Sequence, residues 1–278
     1  MEIIGQHKLL KDINTLIDTD FPRFIILVGE NGSGRKTIAN YIATKLKAPL
    51  AVSEIKVEEV RNTINRAYKI YNPITYLLPN AEKMHKSAKN ALLKVTEEPP
   101  SRAYFIFTTN DFNRIPDTLI SRAFVLKMDS YTDKDKKAYL DSITKEEYNP
   151  YVTCGELDYL VGVCDTFLEI DMLIKYGISE FKKFCEITSD FIIKAPLANA
   201  LKIPQKLKLK EDAEGYDPQL FLKSVAYEFT QKLYKNTTSK HEITNNIRTT
   251  LKYISELNIT GINKLSTIDA WILELRGL

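Results

Sequence analysis

The stretch that decides the fold reads FIILVGENGSGRKT and spans Phe24–Thr37. Its first five residues, Phe24–Val28, are all apolar and end at a glycine, a pattern typical of a strand buried on both faces. A helical pattern follows over Lys36–Leu46. A strand, a glycine turn and a helix in this order predict the first unit of an α/β domain with a mostly parallel sheet.

The same alternation continues further along the chain. Strands are predicted at Tyr76–Leu78, Tyr104–Thr109 and Phe124–Leu126. Between the first two of these, Met84–Glu97 carries a helical stripe of apolar residues that ends just before two prolines. We therefore expect a parallel sheet with helices on both faces.

After Tyr131 the strand signals fade and helical periodicity takes over. Helices are predicted at Asp133–Ile143 and Gly155–Tyr176, a loop at Ala195–Pro218, and from Ser179 most of the chain has a period of 3.6 residues. The expected domains are an α/β domain over 1–129, a small helical domain over 130–178 and a helical domain over 179–278.

The bulk composition excludes several classes of protein. The 278 residues are 44% hydrophobic and 27% charged with a net charge of +3, which is ordinary for a globular protein. There is no run of about 18 apolar residues, and Met1–Gln6 lacks a secretion-signal pattern. We therefore expect no membrane association. Cys154, Cys164 and Cys185 form no CxxC pair, so we expect buried thiols in a reducing cytoplasm.

The glycine turn has the spacing of a phosphate-binding loop but not its full chemistry. Gly29 and Gly34 match the glycines of G-x-x-x-x-G-K-[ST], whose backbone N–H groups cradle phosphates at a helix N-terminus. Arg35 stands where the lysine belongs and Lys36 where the hydroxyl belongs, while Thr37 comes one position late. The candidate phosphate-contacting residues are Gly29, Gly32, Gly34, Arg35, Lys36 and Thr37.

The metal ligands that ATP hydrolysis needs are missing from this pattern. Lys36 cannot bind Mg²⁺, and Thr37 lies about 100° further round the helix. After the second predicted strand, Asn80 stands where an acidic ligand is expected, and Glu82 comes late, so we expect it at a helix start or in solvent. No metal site and no efficient hydrolysis are predicted, while binding of ATP, phosphate or sulfate in the loop stays open.

Two further stretches resemble the clamp-loader family of AAA+ proteins. Ala81–Met84 with Ala88–Pro100 resembles the family signature A-[DE]-x-M…A-x-N-A-L-L-K-x-x-E-E-P-P, and Ser121–Ala123 resembles its Ser-Arg-Cys box. The first 130 residues or so carry most of the resemblance. Shorter similarities lie at Ile4–Gln6, Ile55–Arg61 and Asn263–Leu275.

The resemblance implies a RecA-like P-loop domain, a helical lid and a helical collar through which subunits form a hetero-oligomeric ring of five. It implies other clamp-loader subunits, the sliding clamp and primer–template DNA as partners. It also implies that Arg122 is an arginine finger that reaches the ATP site of the adjacent subunit. Asn110 falls at the family's γ-phosphate sensor position, and we favour a structural role for it.

Several departures indicate a subunit that has lost its own ATP chemistry, as in the delta-prime type. The region Gly162–Leu168 has no sensor arginine, and no cysteine precedes Cys154, so no zinc module is expected. Four lysines of the signature helix are interpreted as a solvated face, with contact to DNA as the alternative. These are Lys83, Lys86, Lys89 and Lys94.

Two other functions stay open at the level of sequence. The chain is an active, gamma-like ATPase if Lys36 shifts register to replace the missing lysine. It is a delta-like clamp-opening subunit if it binds the clamp by itself, although such subunits lack the finger that Ser121-Arg122 resembles.

Overall fold

The computed structural model describes residues 3–146, 154–207, 216–235, 240–259 and 261–278. The chain divides into two compact units, Met1–Tyr139 and Leu140–Leu278. The first contains the sheet and the second is helical in its described parts.

The first unit is built on five parallel strands in the order β2-β3-β4-β1-β5. In the interior strand β1, Ile26 pairs with Phe107 of β4 on one side and with Val125 of β5 on the other. The strands are β1 Phe24–Val28, β2 Leu50–Val52, β3 Ile74–Leu78, β4 Ala103–Thr109 and β5 Phe124–Lys127.

Alternating side chains of β1 build a separate core on each face of this sheet. Phe24 and Ile26 pack on the face covered by α3 and α4, whereas Ile25 and Leu27 pack on the face covered by α1 and α2. The expectation of helices on both faces is confirmed. The helices are α1 His7–Asp18, α2 Arg35–Lys45, α3 Val57–Ala67, α4 Lys86–Glu97, α5 Asp117–Ile120 and α6 Asp133–Glu146, the last of which runs past the boundary of the unit.

The four strands predicted from apolar runs are all present, and the one that was missed is β2. It has three residues, and Val52 is exposed, so neither length nor burial produces a sequence signal. The stretch Gly155–Tyr176 is helical as predicted, but it forms two helices, because the helix is interrupted at Thr166. There Thr166 and Glu169 form a capping box that starts a new helix.

The second unit packs its helices around aromatic side chains. The Phe221 ring meets Trp271 edge-on at 6.0 Å, and the indole Nε1 of Trp271 donates to Thr250 Oγ1 at 3.1 Å. The helices are α7 Cys154–Val163, α8 Phe167–Tyr176, α9 Ile178–Lys194, α10 Leu197–Ala200, α11 Pro218–Lys235, α12 Lys240–Leu257 and α13 Lys264–Leu275.

The division of this unit into lid and collar stays a prediction, since α7 and α8 pack with α9 and α11 in one compact body. Part of the predicted loop Ala195–Pro218 is the short helix α10, and residues 208–215 lie outside the described chain. Cys164 and Cys185 are buried as predicted, whereas the side chain of Cys154 is not among those described. Within the described residues, none of the helices combines the length and the apolar character needed to cross a bilayer.

Candidate functional site

The glycine loop joins the end of β1 to the start of α2 and requires glycine for steric reasons. A Cβ on Gly29 would lie 2.5 Å from Met128 Cγ and 2.7 Å from Ser33 Oγ. Gly32 and Gly34 have φ values of 83° and 86°, in the left-handed region that other residues avoid. Glycine is therefore required at these positions of the turn, whereas its role as a phosphate-binding loop stays a prediction.

Tyr131 supports this loop from outside, and sequence reasoning missed it. Its hydroxyl donates to the Ser33 carbonyl at 2.9 Å and lies 3.0 Å from the point where a Cβ on Gly34 would stand. Its ring passes 2.9 Å from the corresponding point on Gly5. Burial raises the pKa of the Tyr131 phenol, so the hydroxyl keeps the proton that it donates.

The opening Ile4–Gln6 is tied to the end of β5, next to Tyr131. The Gln6 side chain donates from Nε2 to the Asp129 carbonyl at 2.6 Å and accepts from the Asp129 N–H at 2.7 Å. The Gln6 amide thus bonds to both backbone groups of Asp129, as a paired residue of a neighbouring strand would. It holds the N-terminal segment beside the glycine loop.

Arg35 occupies the lysine position but turns back onto its own loop. Its Nη2 donates to Asn31 Oδ1 at 2.9 Å, and its Nη1 is buried without a hydrogen-bond partner among the described residues. Burial lowers the pKa of the Arg35 guanidinium, and the Glu82 carboxylate opposes that shift. Lys36 is exposed and Thr37 is half-buried.

Glu82 lies in a short 3₁₀ helix, Ala81–Lys83, which agrees with its predicted place at a helix start. The alternative expectation of a solvent-exposed carboxylate is wrong, because Glu82 is only 4% exposed. Ala81 and Met84, on either side of it, pack into the core and draw the turn inward. Neither carboxylate oxygen has a hydrogen-bond partner within the described part of the chain.

Asn110 follows β4, where the sensor position was predicted. Its Oδ1 is buried and finds no hydrogen-bond partner among the described residues, whereas the neighbouring Thr109 Oγ1 donates to the Asp111 carbonyl at 2.9 Å. The preference for a structural role of Asn110 stays a prediction. Because β3, β4 and β1 are adjacent, Glu82, Asn110 and the loop all follow the carboxyl ends of neighbouring strands.

These groups do not fit a magnesium-bound nucleotide. Lys36, the second residue of α2, stands where the hydroxyl ligand belongs. The residue two places after β3 is Asn80, whose N–H donates to Thr108 Oγ1 at 3.3 Å. Glu82, the nearest acidic residue after β3, lies four residues beyond the strand end. In the described residues no group of three or more histidine, cysteine, aspartate or glutamate side chains is placed to hold a metal ion.

Arg122 lies two residues beyond α5 and faces outward, as an arginine finger must. Its Nη2 is 2.6 Å from Glu97 Oε1, and its Nη1 donates to the Thr118 carbonyl at 2.6 Å. A third of the Arg122 side chain is exposed. The contact with Glu97 was not predicted, because nothing in the sequence links positions 25 residues apart.

One of the four signature lysines contradicts the solvated-face interpretation. Lys89 is 9% exposed, and its Nζ donates to the Arg114 carbonyl at 2.7 Å. Burial lowers the pKa of Lys89. The other three lysines are exposed, although Lys83 lies in the turn before α4 rather than on it: they are Lys83, Lys86 and Lys94.

Gly162, in the region that lacks a sensor arginine, has a packing role in the second unit. A Cβ there would lie 2.7 Å from the Tyr227 ring on α11. The asparagine of the similar C-terminal stretch, Asn263, caps α13 by accepting from Leu265 N at 3.1 Å and from Ser266 N at 3.3 Å.

A parallel sheet with a glycine loop after the interior strand β1, followed by a helical region, is the arrangement of a P-loop α/β fold. The solved structure of a DNA polymerase III gamma subunit-related protein from Thermotoga maritima matches with a TM-score of 0.50 at 16% identity, over 97% of this chain and 99% of that one. The RuvB Holliday junction branch migration motor of the same organism matches with a TM-score of 0.53 at 16% identity, over 99% and 88%. At these identities the likeness shows the fold.

Sequence comparison finds similarity over part of the chain. The family described as DNA polymerase III, delta subunit, matches residues 50–132. The gamma subunit from Buchnera aphidicola subsp. Schizaphis graminum is 28% identical over 184 residues, which are 54% of this chain and 50% of the relative. The delta' subunit of that organism is 34% identical over 82 residues, 30% of this chain and 25% of the relative.

Parts of the chain are thus similar to DNA polymerase III gamma and delta' subunits. The chain spans about half the length of the gamma subunits from Buchnera that it matches.

Proposed function

We propose that this chain is a clamp-loader subunit of DNA polymerase III of the delta-prime type. It hydrolyses no ATP itself and supplies Arg122 to the ATP site of an adjacent subunit. It acts in the cytoplasm within a hetero-oligomeric ring of five, which loads the sliding clamp onto primed DNA. The observation that carries the proposal is the outward-facing, hydrogen-bonded Arg122 on a chain whose own loop presents Arg35 and Lys36.

The state of the glycine loop supports the first half of the proposal. Arg35 donates from one nitrogen to Asn31, and Lys36 is exposed. No Mg²⁺ ligand of the usual kind follows β3. The chain therefore needs no cofactor for its role, although the glycine backbone can still hold ATP or a phosphate or sulfate ion.

The chemistry of Arg122 supports the second half. A guanidinium stays charged at every physiological pH and presents five donors in a rigid plane that matches phosphate oxygens. Such a group placed at a neighbour's γ-phosphate stabilises the charge of the transition state. A subunit can thus lose its own hydrolysis and still be required for hydrolysis next door.

The test is a reconstituted complex that contains Arg122→Ala. We expect normal assembly by gel filtration and a fall of about 10³-fold in ATP turnover at the adjacent site. Arg122→Lys is the matched variant, and it should also be slow because the planar fork is lost while the charge remains. Unchanged turnover in both variants would reject the finger role.

The names of the gamma-type relatives favour one alternative, an active ATPase. In that case the purified chain hydrolyses ATP with Mg²⁺ and Lys36→Ala abolishes the activity. The exposure of Lys36 argues against it. A wild-type chain that is inactive alone, with no heat of binding for ATPγS and Mg²⁺ in calorimetry, removes this alternative.

The description of the matching family as a delta subunit favours another alternative, a clamp-opening subunit. Such a subunit binds the sliding clamp by itself. A pull-down of the clamp with this chain alone distinguishes the two functions, since strong binding supports the opener and weak binding supports the finger donor.

A further inference from the structure

We propose that Glu97 is a positioning residue that orders the Arg122 guanidinium before the adjacent subunit arrives. This inference rests on the proposed finger role of Arg122 and names a second residue of the same site.

The guanidinium is held by acceptors from two different elements. Glu97, the last residue of α4, binds Nη2 through Oε1 at 2.6 Å. The carbonyl of Thr118, within α5, binds Nη1 at 2.6 Å, and Ser121 Oγ lies 3.5 Å from the same nitrogen. Two acceptors on two nitrogens fix the plane of the guanidinium as well as its position.

Both acceptors stand on elements that the core holds in place. Leu92 and Val95 on α4 and Leu119 on α5 are almost completely buried in one cluster. The end of α4 also favours a cation, because the partial negative charge of the helix C-terminus adds to the Glu97 carboxylate. The arginine is thus ordered by rigid parts of the fold rather than by a loop.

The arrangement leaves the finger free to act. Two of the five guanidinium N–H groups point to Glu97 and Thr118 and a third is within reach of Ser121 Oγ, so two remain for the oxygens of a phosphate. The side chains of Arg122 and Glu97 are 33% and 53% exposed, which keeps the pair accessible to a partner. An ordered arginine loses less side-chain entropy when it docks, and the gain appears in the transition state.

Glu98 provides a matched control one residue away. It carries the same charge and is exposed at the C-terminal end of α4. Within the described parts of the chain its carboxylate makes no ion pair, and its carbonyl accepts from the Tyr68 hydroxyl at 3.2 Å. Removing the Glu98 carboxylate changes the net charge as Glu97→Ala does but leaves Arg122 held.

The experiment measures ATP turnover of the reconstituted complex with Glu97→Ala, Glu97→Gln, Glu98→Ala, Arg122→Ala and the double variant of Glu97→Ala with Arg122→Ala. An exposed ion pair is worth little, so we expect Glu97→Ala to lower kcat about two- to fivefold with KM unchanged. Glu97→Gln keeps an acceptor and should recover part of that loss. Glu98→Ala should match the wild type, and the double variant should be no slower than Arg122→Ala alone.

The outcomes separate the two proposals. If Arg122→Ala is slow and Glu97→Ala has the wild-type rate, the positioning role is overturned while the finger role stands. A Glu97→Ala complex that is faster than the wild type also overturns it, because Glu97 would then restrain the finger. If Arg122→Ala itself keeps the full rate, the finger role fails and the positioning role fails with it.

Discussion

The glycine loop and the Arg122 corner, which consists of Arg122 with its partners Glu97 and Thr118, lie in the same unit. They differ in whether their polar atoms have hydrogen-bond partners. In the loop, Ser33 Oγ and Arg35 Nη1 are buried and have no hydrogen-bond partner among the described residues. At the corner, Arg122 is partly exposed, and both of its terminal nitrogens are bonded. Buried polar atoms without partners cost stability, whereas an exposed, bonded cation costs little. Changes in the loop should therefore affect mainly the stability of the fold, whereas Arg122 is accessible to another molecule.

The largest effect expected from this contrast is a loss of stability in the loop. Gly29→Ala should lower the free energy of unfolding of the first unit by about 2 kcal/mol, because the new Cβ overlaps Met128 and Ser33. Urea unfolding followed by circular dichroism measures the change. Gly155→Ala is the control, since the space around Gly155 in α7 is open and alanine favours a helix. Equal stability of Gly29→Ala and the wild type would contradict the steric account.

A smaller effect is expected at the support of the loop. Tyr131→Phe removes the donor to the Ser33 carbonyl and should cost about 1 kcal/mol. Tyr68→Phe removes a similar bond to the Glu98 carbonyl at an exposed site and should cost less. The same urea experiment compares the two variants. A Tyr131→Phe chain as stable as the wild type would show that the hydroxyl does not hold the loop.

The smallest effect on folding is expected at the corner itself. Arg122→Ala should change the free energy of unfolding by no more than about 0.5 kcal/mol, because the pair with Glu97 is exposed. A loss of about 2 kcal/mol would show that Arg122 is structural. The comparison is sharpest when loop variants lose stability but keep the turnover of the complex, and corner variants do the reverse.

The sheet could be predicted from the sequence because burial on both faces produces uninterrupted apolar runs, as in Phe24–Val28. The break between α7 and α8 at Thr166 could not be predicted, because the capping box lies inside a stretch with uninterrupted helical periodicity of apolar residues. The turn between β1 and α2 could be predicted as well, since the glycine spacing is local. What the sequence missed depends on contacts between distant residues, namely Tyr131 on Ser33 and Glu97 on Arg122.

Two charged residues show why burial is harder to predict than secondary structure. Lys89 follows Ala88 and borders the apolar stripe of α4, so its stem is buried while its Nζ reaches the Arg114 carbonyl. Glu82 is carried inward by Ala81 and Met84. In both cases the charge pattern indicated solvent, and the apolar neighbours decided the outcome.

The chain has a single tryptophan, Trp271, which is fully buried and hydrogen-bonded to Thr250 in the second unit. Its fluorescence therefore reports the melting of that unit alone, without a label. A denaturation curve recorded from indole emission, compared with one recorded from far-ultraviolet ellipticity, resolves whether the unit with the sheet and the helical unit lose their structure together or in succession.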